Sequence, residues 1–416
     1  MEDELFAGFH CIDITPQYPC HMAGYSRTHK SDSVLDPIQV NALSFKVHGE
    51  SFILCVLDSI ILEEAFCDEV KHGITERTGV KPSHISVSCI HTHSAPAFFK
   101  LAFEDTQVEP QLTEKARLAL VDAGVVAYDK MQPATLTFEK IEVEGLYGNR
   151  NNIGGPAVKT CYLARFLGMN NEPLGAFFNI SAHPTILNGS SLTLSADLIG
   201  QVRLRLEQEL GCLVVCTNGT CGDVSTRFYR TASGMDELMG TADALFEQIM
   251  TRKAPVELCG LKGSQPLCRR VTIPSVYSAA EDPDWLAINK RVQHEGANMP
   301  GALRDLICSR QQIKLDQSPV RLNLISQIYV FGPLIVVTLP GDVCSELGLR
   351  IKRAFPRHEV VNIGYSNAYC NYLVPQEDYG KYFETYNART ARGVPDSFIQ
   401  EIIATIESMI TDQRAK

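Results

Sequence analysis

The segment Ser88-Cys-Ile-His-Thr-His-Ser-Ala-Pro96 sets two imidazoles at i and i+2 and stops at a proline. Side chains two residues apart on an extended backbone point to one face. His91 and His93 can therefore look into one cavity at the mouth of a strand. A His-x-His pair is a common way to supply one metal ligand and a second imidazole that handles protons. The same pair also suits an edge strand with two solvated histidines, so partners are needed from elsewhere.

The rest of the chain repeats this grammar. Pro173-Leu-Gly-Ala-Phe-Phe-Asn-Ile180 is apolar and runs into Ser181-Ala-His-Pro-Thr185. Cys212-Leu-Val-Val-Cys216 empties into the glycine-containing loop Thr217-Asn-Gly-Thr-Cys-Gly-Asp-Val-Ser225, and Leu334-Ile-Val-Val-Thr-Leu-Pro-Gly-Asp342 ends on a carboxylate. Four apolar runs thus end at His91, His183, Ser225 and Asp342. Two imidazoles, a carboxylate and one further oxygen would make a zinc site with room for water, able to polarise a carbonyl. Ser51-Phe-Ile-Leu-Cys-Val-Leu-Asp58 also ends on an acid, which reads equally well as a functional group at a strand end or as a helix cap.

These groups need strands to present them. Alternating or continuous apolar runs predict strands over 6–14, 40–47, 51–58, 134–143, 161–168, 173–180, 212–216, 257–273, 320–331, 334–342 and 360–363. Helical patterns fall over 63–77, 110–130, 198–210, 282–312 and 345–355. Gly145-Leu-Tyr-Gly-Asn-Arg-Asn-Asn-Ile-Gly-Gly155, which carries Arg150, reads as an ordered loop. The mixture predicts an α/β fold of mixed β-sheets flanked by helices. With no linker, low-complexity tract or repeat, residues 1–416 read as a single domain.

Composition narrows the function classes. Of 416 residues 45% are hydrophobic and 21% charged, an ordinary globular balance. A formal net charge of −10 without a Lys/Arg run argues against nucleic acid or an anionic membrane surface as partner. No apolar stretch reaches the roughly 18–20 residues of a membrane span. The acidic start Met-Glu-Asp-Glu-Leu lacks a secretory pattern. The 14 cysteines are scattered without a Cys-x-x-Cys pair, as expected of reduced thiols packed as small hydrophobes. The expectation is a cytoplasmic protein acting on a small molecule.

In this order, His91-Thr-His-Ser-Ala-Pro96, Ser181-Ala-His-Pro-Thr185, Gly222-Asp-Val-Ser225, Leu339-Pro-Gly-Asp342 and Gly364-Tyr-Ser-Asn-Ala-Tyr-Cys-Asn-Tyr372 resemble the neutral ceramidases. Asp13-Ile-Thr-Pro16, Ala23-Gly-Tyr25 and Asp36-Pro37 are similar to that family's N-terminal pattern. The resemblance implies a zinc-dependent amidase that hydrolyses an N-acyl bond. It implies that His91, His183, Asp342 and Tyr372 hold zinc, with Asp342 where the family usually has glutamate. Ser225 falls on the serine that acts at the carbonyl, Arg150 on the arginine that steadies the substrate oxygen, and His93 is near enough to manage a proton. Tyr369 or Tyr379 would help Arg150 stabilise the oxyanion, and Asp58 and Asp197 would orient ligand imidazoles.

Against the pattern, Thr226-Arg227 replace the usual Pro-Asn after the serine, and Ala95 replaces a glycine. The C-terminal immunoglobulin-like domain of secreted ceramidases has no counterpart in the sequence. These departures point to an amide smaller and more water-soluble than ceramide. An esterase or lactonase is the same-chemistry alternative, and a catalytically silent metal- or small-molecule-binding protein the other.

Overall fold

The computed structural model describes residues 5–102, 106–258, 264–295 and 301–414. Alternation along its strands decides the layering. In Gln39–Val47, Ala42 and Ser44 turn one way and Leu43 and Phe45 the other. The first face meets the helix Pro110–Asp129, where Ser44 Oγ donates to the Gly124 carbonyl at 3.4 Å. The second face meets another sheet. Phe45 and Phe52 lie 5.5 and 5.0 Å from Phe331, ring centre to ring centre, and Phe52 is 5.7 Å from Tyr329.

The strand Val320–Phe331 alternates in the same way. Tyr329 and Phe331 join the aromatic interface, while Ile328 and Val330 turn to the helices Ser345–Ala354 and Val394–Arg414. Phe398, Ile402, Ile406 and Met409 recur at helical spacing and seal that outer core. The result is four layers, helix–sheet–sheet–helix, the α/β fold of mixed sheets that the patterning predicts.

The larger sheet runs Val214–Asn218, Pro173–Ile180, Thr160–Leu167, Gln132–Glu142, Leu5–Asp13, Gln39–Val47, Glu50–Leu57, Ile85–Cys89, with Ala254–Pro255 paired beside Gln132–Glu142. The smaller runs Leu267–Tyr277, Val320–Phe331, Leu334–Thr338, Glu359–Ile363. Within these two sheets three pairs are parallel: Ile85–Cys89 with Glu50–Leu57, Val214–Asn218 with Pro173–Ile180, and Leu334–Thr338 with Glu359–Ile363. Parallel neighbours end at the same edge, which gathers their exit loops. Backbone bonds sew the two edges together: Gly364 N–H donates to the Asn218 carbonyl, Cys89 N–H to Tyr365 and Asn367 N–H to Val87. Contact is so close there that a Cβ on Gly364 would stand 2.4 Å from the Gly219 oxygen.

Two boundaries differ from the sequence pattern. The strand expected over 257–273 is observed at Leu267–Tyr277 and runs through Pro274. It is the edge of its sheet, where a missing N–H is tolerated. Residues 259–263 lie outside the described residues. The single helix expected over 282–312 is two, Pro283–Glu295 and Gly301–Asp316. The helix Val394–Arg414 has no counterpart in the sequence reading. Among the described residues no helix is long and apolar enough to cross a membrane.

Asp58 neither caps a helix nor faces a cavity. Its carboxylate accepts two bonds of 2.8 Å from Arg203 on the helix Asp197–Leu210, both side chains almost wholly buried. Removing one partner of such a pair strands the other charge and costs about 3–5 kcal/mol. Arg203→Ala is expected to lower the unfolding free energy measured in urea by that amount at unchanged slope, and Arg203→Lys by less. An unfolding free energy within about 0.5 kcal/mol of wild type would rule out this pair as a fastening of the helix layer.

Candidate metal centre and active site

Each histidine is aimed by a backbone carbonyl. His91 Nδ1 lies 2.6 Å from the Ile60 oxygen, His93 Nδ1 2.9 Å from Gly24 and His183 Nδ1 2.7 Å from Cys221. A carbonyl only accepts, so each Nδ1 carries the proton and each neutral ring presents a bare lone pair at Nε2. Those lone pairs converge. His91 Nε2 is 3.2 Å from His183 Nε2 and 3.3 Å from His93 Nε2. Gly24 lets its carbonyl reach His93, since a Cβ there would stand 2.7 Å from the imidazole.

Asp342 closes the group. Its Oδ1 is 3.2 Å from His91 Nε2 and 3.4 Å from His183 Nε2, with no exposure to solvent. Tyr365 donates to Oδ1 at 2.8 Å and Tyr369 to Oδ2. Burial raises the Asp342 carboxyl above its usual range, against the two tyrosine bonds. Burial likewise lowers His91 and His93 to about 3, with the Arg150 charge adding at His91 and the His91 ring adding at His93. His183 is also pushed far down by burial, then by Arg150. Unprotonated nitrogens and a carboxylate at such separations repel unless a cation lies between them. His91, His93 and His183 already form a group able to hold one, and nitrogen with carboxylate oxygen suits zinc.

Catalytic candidates stand around this centre. His91, His93, His183, Asp342, Ser225, Arg150, Tyr369 and Tyr372 all line one cavity of about 430 Å³, a size usual for small-molecule sites. Arg150 Nε donates to Glu384 at 2.8 Å and its Nη2 to the Tyr372 hydroxyl at 3.0 Å. Asn151 holds the other Glu384 oxygen at 3.0 Å. Ser225 Oγ accepts from the Arg227 N–H at 3.2 Å. Asp223 ties the loop down, taking bonds from Asn149 Nδ2 at 2.9 Å and Ser345 N–H at 2.7 Å.

Three expected roles need correction. Tyr379 is away from the cavity: its hydroxyl donates to Asp282 at 3.0 Å and its ring packs beside Trp285 and Tyr277. Asp58 is occupied by Arg203. Asp197 accepts the N–H groups of Ile186, Leu187 and Leu198, which steadies the chain beyond His183 without touching an imidazole. Other residues do the positioning. Asn218 Nδ2 donates to the Ile90 and Ala182 carbonyls at 3.0 and 3.1 Å, so one amide holds the residues before both His91 and His183. Tyr365 stacks on His91 at 4.1 Å. His91, Asp197, Tyr365, Asn367 and Asn371 all have positive φ, a costly backbone state for such residues that concentrates at functional sites.

The lowered imidazoles make acid stability a test of the centre without metal. In the unfolded chain a histidine titrates near 6.5, and in the fold His91 and His93 titrate at about 3. Their contribution is full above about pH 6.5 and is lost as pH falls toward 3. Asp197 and Asp223, raised to about 6 by burial, act with the opposite sign. The informative quantity is therefore wild type minus variant. Chelator-treated wild type is expected to lose thermal midpoint between pH 6.5 and 4 faster than His91→Gln/His93→Gln. Parallel profiles would contradict the buried neutral imidazoles.

No family model matches the sequence, and no curated protein matches it. Solved structures do match. The crystal structure of neutral ceramidase from Pseudomonas aeruginosa superposes with a TM-score of 0.74 at 17% identity, covering 96% of this chain and 73% of that one. A structure described as ceramidase complexed with C2 superposes at 0.73 with 15% identity, covering 96% and 74%. Identities this low carry the likeness at the level of architecture: the chain has the neutral ceramidase fold.

Proposed function

We propose that this protein is a zinc-dependent amidohydrolase that cleaves the N-acyl bond of a small or lipid-like substrate. The observation that carries the reading is the convergence of three proton-free imidazole nitrogens and a buried carboxylate in the cavity that also holds Ser225 and Arg150. His91, His183 and Asp342 would hold the ion, with Tyr372 as the fourth donor by the resemblance. A zinc ion there would supply Lewis-acid polarisation of the amide carbonyl and of water.

The chain's own groups divide the remaining work. Ser225 offers its hydroxyl at the carbonyl carbon or orients the attacking water. The Arg150 guanidinium, held by Glu384, presents its charge to the developing oxyanion, a contribution of typically about 3 kcal/mol. His93, with Nδ1–H committed to Gly24, presents Nε2 to the cavity to receive the proton released by the attacking hydroxyl. Because burial keeps that nitrogen weakly basic, it passes the proton on to the leaving amine. Amine leaving groups need that proton more than activated esters do.

Metal analysis tests the centre. About one zinc per chain is expected, lost in His91→Ala and His183→Ala; no metal after purification with zinc present would sink the proposal. His93→Ala is expected to keep the metal and lose about 100- to 10,000-fold in amide turnover, while a p-nitrophenyl ester suffers far less. Loss of the metal in that variant would instead make all three imidazoles the ligand set. Arg150→Ala and Ser225→Ala should each keep the metal, the first losing about 100- to 1,000-fold in kcat.

A further inference from the structure

The cavity's charge is out of keeping with the protein's. The chain carries 48 acidic and 38 basic residues. Yet among the described residues the cavity wall has three guanidinium groups, Arg150, Arg227 and Arg230, against the single carboxylate of Asp342. Arg150 has Glu384 as its ion-pair partner. Arg230 is bonded by the Thr185 and Ile186 carbonyls, at 3.1 and 3.0 Å, and among the described residues no carboxylate pairs with it. Arg227 stands at the exposed rim, and among the described residues no carboxylate pairs with it. Partial burial, then the charge of Arg150, hold its guanidinium below the ordinary arginine range, with Arg230 acting in the same direction and only Glu384 and Tyr25 against. Two arginines facing one cavity, with no carboxylate paired to them among the described residues, attract an anion, and low-dielectric walls strengthen that attraction.

Position narrows the anion further. Arg227 follows Ser225 by two residues, a reach of at most about 7 Å along the backbone. Both side chains line the one cavity, so an anion gripped there lies on the same side of the substrate as the amide that Ser225 faces. We propose that the substrate is an N-acyl amino acid whose carboxylate is held by Arg227, with Arg230 reinforcing the local positive charge, in preference to a neutral alkanolamide. A neutral hydroxyl offers these arginines no charge to pair with, whereas a carboxylate accepts both prongs of a guanidinium. This rests on the amidohydrolase reading and names its substrate class. Arg227 is also where the chain departs from the Pro-Asn that follows the serine in the resembling family.

N-octanoylglycine and N-octanoylethanolamine share an acyl chain and differ in carboxylate against hydroxymethyl, so they form the probe pair. Zinc-loaded wild type is expected to favour the glycine conjugate about 10- to 100-fold in kcat/KM, the range of one charge-assisted contact. Arg227→Ala should erase most of that preference through KM, Arg227→Lys should keep part of it, and Arg227→Glu should reverse it. Equal use of the two amides by wild type, or a ratio unmoved in Arg227→Ala, overturns the proposal and leaves the amidohydrolase intact. Calorimetric binding of both compounds to Ser225→Ala separates the two readings. Arg227-dependent binding of N-octanoylglycine without turnover of either amide by wild type would refute amide hydrolysis and retain the carboxylate site. Binding that depends on zinc but not on Arg227 would assign the carboxylate to the metal and overturn it.

Discussion

Three imidazole nitrogens and a buried carboxyl group converge within a few ångströms, a donor set able to hold a cation, and much of the fold serves to bring them together. His91, His93 and His183 each spend Nδ1–H on a carbonyl, so Nε2 is bare in all three. Asp342 is fully buried between two tyrosine hydroxyls. In the absence of a counter-charge this is a store of electrostatic strain. Such strain persists only when the surrounding structure over-determines it, and the five positive-φ residues in the same loops show where the backbone bears part of the load.

The support comes from the seam between the sheets. The imidazoles arrive on loops leaving the larger sheet, whereas Asp342, Tyr365 and Tyr369 arrive from the smaller one. The site exists only where the two edges meet. Asn218 is the most economical tie, because one side-chain amide grips the backbone before His91 and before His183. Gly219 and Gly364 allow the edges to touch at all. The aromatic layer of Phe45, Phe52, Tyr329 and Phe331 keeps the sheets registered behind them.

Most of the elements and the chemistry-bearing strand ends are legible in the sequence because both follow local rules. Apolar runs make strands, and polar groups after them fall at the sheet's edge. His91, His183, Ser225 and Asp342 are all legible in that way. What escapes is whatever depends on meeting a distant partner. Carbonyls aim the imidazoles, and every residue has one, so no residue type marks Ile60, Gly24 or Cys221 for the task. Tyr379 lies in the same tyrosine-rich stretch as Tyr369 and Tyr372, but the chain turns after Pro375 and its hydroxyl meets Asp282, 97 residues away. Glu384, which fixes Arg150, lies 234 residues from it. Pro274 hides the end of its strand because edge position is a property of the sheet and not of the segment.

The aspartate at 342 shows how a shorter side chain can still reach the centre. Glutamate at this place would carry one more methylene, so an aspartate must be brought closer by its backbone. That backbone is drawn in by glycines on two sides. Gly341, with φ +89°, leaves no room for a Cβ, which would stand 2.5 Å from the Asn371 oxygen. Gly222 presses against the Asp342 carbonyl so closely that its Cβ would stand 2.6 Å away. Both contacts are with backbone, which cannot rotate aside as a side chain would. The Gly222-Asp-Val-Ser225 and Pro340-Gly-Asp342 motifs therefore act as one packed unit. The first glycine lets the serine loop lie against the carboxylate strand, and the second lets that strand lie against the tyrosine loop. The separation of Ser225 from the carboxylate is thereby a property of backbone contact, which carries over to any substrate the cavity accepts.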